Sequence, residues 1–188
     1  TWQGGGVLYC LNECDATVWT INLPFGEPDK AGGQPTYSNA SHDVPAVNAW
    51  ARKIGLSPDQ NYYWTDKLGF VGRLYLEKEL GNRVCQIYCD STQWDISNFP
   101  PGFFDSALID GGHTPEIVIN DTQKALSLVR PGGLVMWHDF CFDETVRKQC
   151  STPRDLVATL QDNLSWIEPQ LKDIFWVEPS WILVGIKS

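Results

Sequence analysis

The sequence predicts an α/β chain: an open, mostly parallel sheet with helices on both faces, ending in an antiparallel hairpin. Two observations carry that prediction. The first is a pair of short apolar runs, 106–109 and 134–137, each ending in polar residues: Asp110 and His113 after one, His138 and Asp139 after the other. Between them, apolar residues recur at helical spacing, so the stretch reads as strand, helix, strand. The second is a pair of strand-like runs, 174–177 and 181–186, joined only by Glu178-Pro179-Ser180. A parallel crossover needs about a dozen residues or more, so this link permits only antiparallel pairing. Ligands of open α/β sheets bind beyond the carboxyl ends of the strands, which is where the four polar residues fall.

The elements follow in order. Three glycines, Gly4, Gly5 and Gly6, precede a short helix from Val7 to Cys14. The β-branched and aromatic run 17–21 reads as a strand ending at Asn22. Residues 23–44 are rich in Pro, Gly, Ser and Asn and include His42. So long a loop marks a lid, a binding loop or an insertion, and the region 23–75 is expected to include it. A helix is expected at 45–54, with Val47, Trp50 and Ala51 on one face, and an irregular aromatic stretch at 58–72. Residues 84–89 read as a buried strand ending at Asp90-Ser91.

The central helix has a clear start: Thr114 suits the N-cap, Pro115 the first helical position, and Glu116 the positive helix end. Val118, Thr122, Ala125, Leu126 and Val129 give its spacing, and Pro131-Gly132-Gly133 is expected to stop it. A Cys-containing linker then leads to a helix over 153–164 with Leu156, Val157, Leu160 and Leu164 as its stripe.

A chain of 188 residues fits one domain and can bury a sizeable core. The net charge of −9 weighs against nucleic acid as a partner, because an acidic surface repels phosphate backbones. No run reaches the roughly 18 apolar residues of a membrane span. Six cysteines fall at 10, 14, 85, 89, 141 and 150. Cys85 and Cys89 lie along one strand, about 13 Å apart at ~3.3 Å per residue, and cannot share an ion. Buried free thiols in a reducing, cytoplasmic setting are the expected reading. Only three residues precede the glycines, so the strand that normally delivers such a loop is expected upstream of Thr1.

Taken in order, these pieces resemble class I S-adenosylmethionine-dependent methyltransferases, and most closely the small-molecule O-methyltransferases with an Asp-Gly-x-His segment. Residues 1–9, Thr-Trp-Gln-Gly-Gly-Gly-Val-Leu-Tyr, are similar to the second half of that family's glycine loop. Residues 18–24 match its second strand, and Gly72-Arg73-Leu74-Tyr75, Asp90-Ser91 and the 103–140 core follow at family spacing. The resemblance implies a Rossmann-like sheet of strand order 3-2-1-4-5-7-6. It also implies S-adenosyl-L-methionine as cofactor, with Gly4, Gly5 and Gly6 close to it and Asp90 and Ser91 near the adenine. Asn22 stands where the family usually has an acid for the ribose hydroxyls; an amide accepts a hydrogen bond without the charge that strengthens it.

The resemblance also sets the strands of Asp110 and Asp139 side by side. Their carboxylates, with His138, then form a candidate site for a divalent metal, Mg²⁺ or Mn²⁺; an imidazole ligand favours Mn²⁺, Fe²⁺ or Zn²⁺ over Mg²⁺. His113 is the candidate general base, with Asp110 beside it in the catalytic set. The competing assignment has His113 capping the helix and Asp110 ordering the loop. The implied activity is O-methylation of a small hydroxylated metabolite, a sugar or a natural-product scaffold. The alternative is a non-catalytic methyltransferase-like domain that binds a ligand or partner, and a homo-oligomer is compatible with either.

Overall fold

The computed structural model describes residues 4–22, 64–65, 69–70 and 72–188. The loop-rich stretch 23–44, the helix expected at 45–54, and Tyr62 and Tyr63 lie outside the described residues. The chain divides into two compact units, Thr1–Gln93 and Trp94–Ser188.

The first unit contains α1 (Gly5–Glu13), β1 (Val18–Asn22), β2 (Trp64–Thr65), β3 (Gly69–Phe70), α2 (Arg73–Glu77) and β4 (Val84–Tyr88). β1 and β4 pair in parallel, Val18 opposite Val84 and Asn22 opposite Tyr88, while β2 and β3 form a short antiparallel pair. The helix starts two residues earlier than the sequence suggests, so Gly5 and Gly6 belong to its first turn rather than to a loop. Gly4 is the N-cap, in the left-handed region at φ 88°, and its carbonyl accepts from Leu8 N–H at 2.8 Å. A Cβ at Gly4 would lie 2.5 Å from the Tyr75 ring, so backbone angle and packing both demand glycine. Tyr75 is buried, and its hydroxyl donates to Gln86 Oε1 at 2.8 Å, tying α2 to β4. That burial raises its phenol well above the usual range.

The second unit contains β5 (Phe104–Ile109), α3 (Pro115–Leu128), β6 (Val129–His138), α4 (Glu144–Gln149), α5 (Ser151–Asp162), α6 (Leu164–Ile167), β7 (Leu171–Val177) and β8 (Ile182–Lys187). Its sheet has the order β5-β6-β8-β7. β5 and β6 run parallel, with Ile109 opposite Trp137; β8 is antiparallel to both β6 and β7. The terminal hairpin is therefore as the sequence predicts. With the short β2–β3 pair set aside, the other six described strands, counted as strands 2 to 7 of the order 3-2-1-4-5-7-6, form the runs 3-2 and 4-5-7-6.

Strand alternation builds the core. Val135 and Trp137 of β6, Ile109 of β5 and Leu183 of β8 pack against Val118, Ala125 and Leu126 of α3 and Leu156, Val157 and Leu160 of α5. Trp137 is fully buried, and its indole Nε1–H donates to Thr122 Oγ1 at 2.9 Å. Because both groups are shut off from water, Thr122→Val would leave the indole donor without an acceptor. The expected cost is about 1–3 kcal/mol, read by chemical denaturation, with Thr122→Ser close to wild type.

Four expectations are corrected. The helix does not run to Pro131-Gly132-Gly133: it ends at Leu128, and Val129 is already extended. Pro131 disfavours helical angles at Arg130 before it, so the turn has to end earlier. Residues 129–134 instead form a wide irregularity in β6, where Val129 faces Phe104 and Leu134 faces Ser106. Gly132 sits at φ 77°, and a Cβ at Gly133 would lie 2.5 Å from the Asp105 carbonyl oxygen. Second, the linker after Asp139 holds a helix, α4, because Asp143 caps it by accepting from Thr145 N–H at 2.7 Å and Val146 N–H at 3.2 Å. Third, Leu164 is exposed, since the chain leaves α5 at Asp162 and Leu164 opens a separate turn. Fourth, none of the six cysteines is in a disulfide, but only Cys141 is buried; Cys10 and Cys14 are exposed because the end of α1 faces solvent.

The Asp143 cap has a pH signature. Backbone hydrogen bonds from Val146 and then Thr145 hold its carboxyl below the usual carboxylate value. A depressed folded value means its stabilisation is complete above the unfolded value of ~3.9 and is lost as pH falls through the lower folded one. Thermal melts across that acid window should show a shallower loss of stability in Asp143→Asn, which can still accept at the cap without titrating.

Candidate active site

The site is built on the strand–helix–strand unit of β5, α3 and β6. Asp110 follows the last residue of β5, and His138 is the last residue of β6. Because Ile109 pairs with Trp137, parallel register carries the next residues, Asp110 and His138, past the same end of the sheet. The pleat then separates their tasks. Trp137 turns into the core, while His138 turns to the opposite side. Asp139 follows with φ 62°, a left-handed angle uncommon for a residue with a Cβ and best tolerated by Asp and Asn. Its carboxylate reaches both His113 and His138.

The contacts are specific. His138 Nδ1 lies 3.0 Å from Asp110 Oδ1 and 3.2 Å from Asp139 Oδ1. His113 Nε2 lies 3.0 Å from Asp139 Oδ2. Asp139 thus faces both imidazoles, one with each oxygen. It is the less exposed carboxylate, its side chain 20 % accessible against 47 % for Asp110. His113 precedes the N-cap of α3, which is Thr114; no side-chain cap bond is made there, and Thr114 O accepts from Val118 N–H at 3.0 Å. Helix capping is therefore Thr114's position, and His113 is turned to Asp139.

One ligand atom each from Asp110, His138 and Asp139 can be chosen with all three within 4.8 Å of one another. His138 Nδ1 is shut off from solvent, and neither carboxylate near it lies in hydrogen-bond alignment. A nitrogen between two carboxylate oxygens, bonded to neither, fits a cation that all three donors face. Six-coordinate Mg²⁺ has ligands at ~2.0–2.1 Å, which puts adjacent donors about 3 Å apart, close to the two separations measured from Nδ1. Asp110, His138 and Asp139 are the residues that could hold a divalent metal here.

The remaining predicted residues belong to the first unit. Gly4 caps α1, and Gly5 and Gly6 lie in its first turn. Asn22 ends β1; it is buried, and its carbonyl accepts from Cys89 N–H at 2.9 Å. Asp90 follows β4, and its Oδ1 accepts from both the N–H and the hydroxyl of Thr92 at 2.8 Å, closing a local turn that Ser91 spans. The candidates Asp110, His113, His138 and Asp139 lie together, and the His113–Asp139 contact is one the sequence does not predict. The two are far apart in the chain and meet because β5 and β6 pair in parallel and end together.

A family model described as a methyltransferase domain matches residues 37–140, more than half of the chain. The chain belongs to this family, and its α/β fold is that of the class I S-adenosylmethionine-dependent methyltransferases. Among solved structures it is similar to the O-methyltransferase NovP, at 14 % identity over 97 % of this chain and 64 % of that one, with TM-score 0.47. It is also similar to MycE, a methyltransferase of the mycinamycin biosynthetic pathway solved with Mg and SAH, at 19 % identity over 57 % of this chain and 33 % of that one, TM-score 0.39. A third is geranyl diphosphate C-methyltransferase from Streptomyces coelicolor A3(2), at 9 % identity over 100 % of this chain and 70 % of that one, TM-score 0.45. The chain thus spans a third to two thirds of the length of MycE and NovP. No curated protein sequence matches it.

Proposed function

We propose that the chain carries an S-adenosylmethionine-dependent methyltransferase activity directed to a hydroxyl oxygen of a small hydroxylated metabolite, a sugar or a natural-product scaffold. In this reading Asp110, His138 and Asp139 hold a divalent cation, and His113 is the general base. The observation that supports it most directly is His138 Nδ1, enclosed between two carboxylates without an aligned hydrogen bond. Gly4, Gly5, Gly6, Asn22, Asp90 and Ser91 are the proposed cofactor contacts.

When bound, the cofactor offers a methyl group already activated on sulfonium, and a divalent cation would acidify a hydroxyl brought to it. What remains for the chain is alignment and proton removal. In its neutral form His113 can donate Nε2–H to Asp139, which leaves Nδ1 as the acceptor for the hydroxyl proton. Asp139 then stabilises the imidazolium that forms, so it orients the base and is also a ligand. Asp110 and His138 complete the donor set from the two strand ends.

Calorimetry with S-adenosylhomocysteine, followed by turnover assays on hydroxylated acceptors with and without EDTA, tests this. Binding is expected, with turnover lost in EDTA and restored by Mg²⁺ or Mn²⁺. No affinity for S-adenosylhomocysteine would sink the methyltransferase reading. Turnover indifferent to EDTA would remove the cation while leaving the rest.

A further inference from the structure

Cys10 and Cys14 lie four residues apart at the end of α1, both exposed, with their Sγ atoms 3.9 Å apart. Cys14 is the C-cap, with extended backbone at φ −155° and ψ 164°, and its N–H donates to Cys10 O at 3.2 Å. An i,i+4 pair on a helix has Cα atoms about 6 Å apart. That falls within the roughly 4.4–6.8 Å that disulfides span. Inside a helix two such side chains lie one above the other. The extended backbone at Cys14 instead turns its thiol back over the last turn, where Sγ–H donates to Cys10 O at 3.1 Å. The Arg83 guanidinium fixes this arrangement by donating to the carbonyls of Leu11 at 2.9 Å and Ala16 at 3.0 Å, and to that of Cys14. The chain is therefore pinned on both sides of the second cysteine.

We infer that Cys10 and Cys14 form a reversible thiol-modification site that closes an intrachain disulfide on reaction with a low-molecular-weight disulfide. The Cys14 thiolate attacks one sulfur of the small disulfide, whose S–S bond breaks and releases one thiolate. The resulting mixed disulfide is resolved by Cys10, which gives its proton to solvent and attacks Cys14 Sγ. The second small thiol leaves. Two protein thiols are oxidised and one small disulfide is reduced to two thiols. Partial desolvation, and then the hydrogen bond and charge of Cys14, push the Cys10 thiol up against an opposing pull from Arg83, which slows attack by Cys10. Cys141 is buried, and Cys85, Cys89 and Cys150 are half-buried, so the exposed pair is the most accessible to the reagent.

The test is to incubate the reduced protein in glutathione buffers of rising oxidised fraction, quench in acid, alkylate, and map peptides by mass spectrometry. Cys10 and Cys14 should lose alkylation together, on a peptide lighter by two hydrogens, and dithiothreitol should restore both. Cys10→Ser should instead keep one glutathione adduct on Cys14, because nothing resolves it. Three results would overturn the inference: both thiols still alkylated in excess oxidised glutathione, stable adducts on the wild-type pair, or linkage of either to another cysteine. The wild-type map decides the matter even if the variant folds poorly.

Discussion

Asp139→Asn is expected to lower methyl transfer about 10²–10⁴-fold, the range for losing a positioned acid–base group. The substitution keeps the volume and one hydrogen-bonding oxygen. Asparagine also tolerates the left-handed angle of φ 62°, so the backbone turn should survive. What disappears is the charge that faces His113 with one oxygen and His138 with the other. His113→Ala should lose a similar factor with S-adenosylhomocysteine affinity retained, and the double variant should lose little more, since residues acting as a unit are not additive. Initial rates, calorimetry and circular dichroism on the four proteins decide the matter. Independent, multiplying losses would show that Asp139 and His113 do not work as a pair, and unchanged turnover in Asp139→Asn would remove it from the mechanism.

The largest stability effect is expected at Trp137→Ala, about 3–5 kcal/mol. The indole fills the space between β6, α3 and β8 with no exposed surface, and it is matched by glycine across the sheet: a Cβ at Gly185 would lie 3.3 Å from Trp137 Cζ3. Removing it opens a cavity and strands the Thr122 hydroxyl, its partner at 2.9 Å. For a chain of this size that corresponds to a fall in melting temperature of roughly 6–20 °C. Trp137→Phe should cost less, because a ring remains and only the hydrogen bond and part of the volume are lost. A melting point unmoved by Trp137→Ala would mean that the core does not depend on this contact.

Much of the second unit was legible because its signals are local. Thr114-Pro115-Glu116 marks a helix start within three residues, and Glu178-Pro179-Ser180 is too short for anything but a hairpin. Asp110, His138 and Asp139 stand out as candidates because they fall at strand ends, where ligands bind in such sheets. Elsewhere a local signal has two structural outcomes. Pro131-Gly132-Gly133 suits a helix stop, yet the same residues serve an irregular strand. Asp143 lies in a linker-like stretch, although an aspartate followed by Glu-Thr-Val is a sound cap. Leu164 completes a helical stripe on paper, but Asp162 ends the helix first. The His113–Asp139 pairing and the Arg83 contacts with the end of α1 depend on residues distant in sequence, which no local pattern encodes. Cys10 and Cys14, by contrast, are four apart on an expected helix, a spacing that by itself brings two side chains onto one face.

The irregularity at 129–134 also bears on how this protein can tolerate changes in length. From Leu134 onward β6 alternates without interruption, one residue to the core and the next to the other side, until His138 is delivered beside Asp110. A residue gained or lost within that run would exchange the two sides, sending the imidazole inward and the indole outward. Upstream, five steps along β6 from Val129 to Leu134 already correspond to two steps along β5 from Phe104 to Ser106. The excess is absorbed before the alternation begins. Insertions and deletions should therefore be survivable in the Arg130–Gly133 stretch and ruinous a few positions later, so the fold carries its slack immediately upstream of the segment that can least accept any.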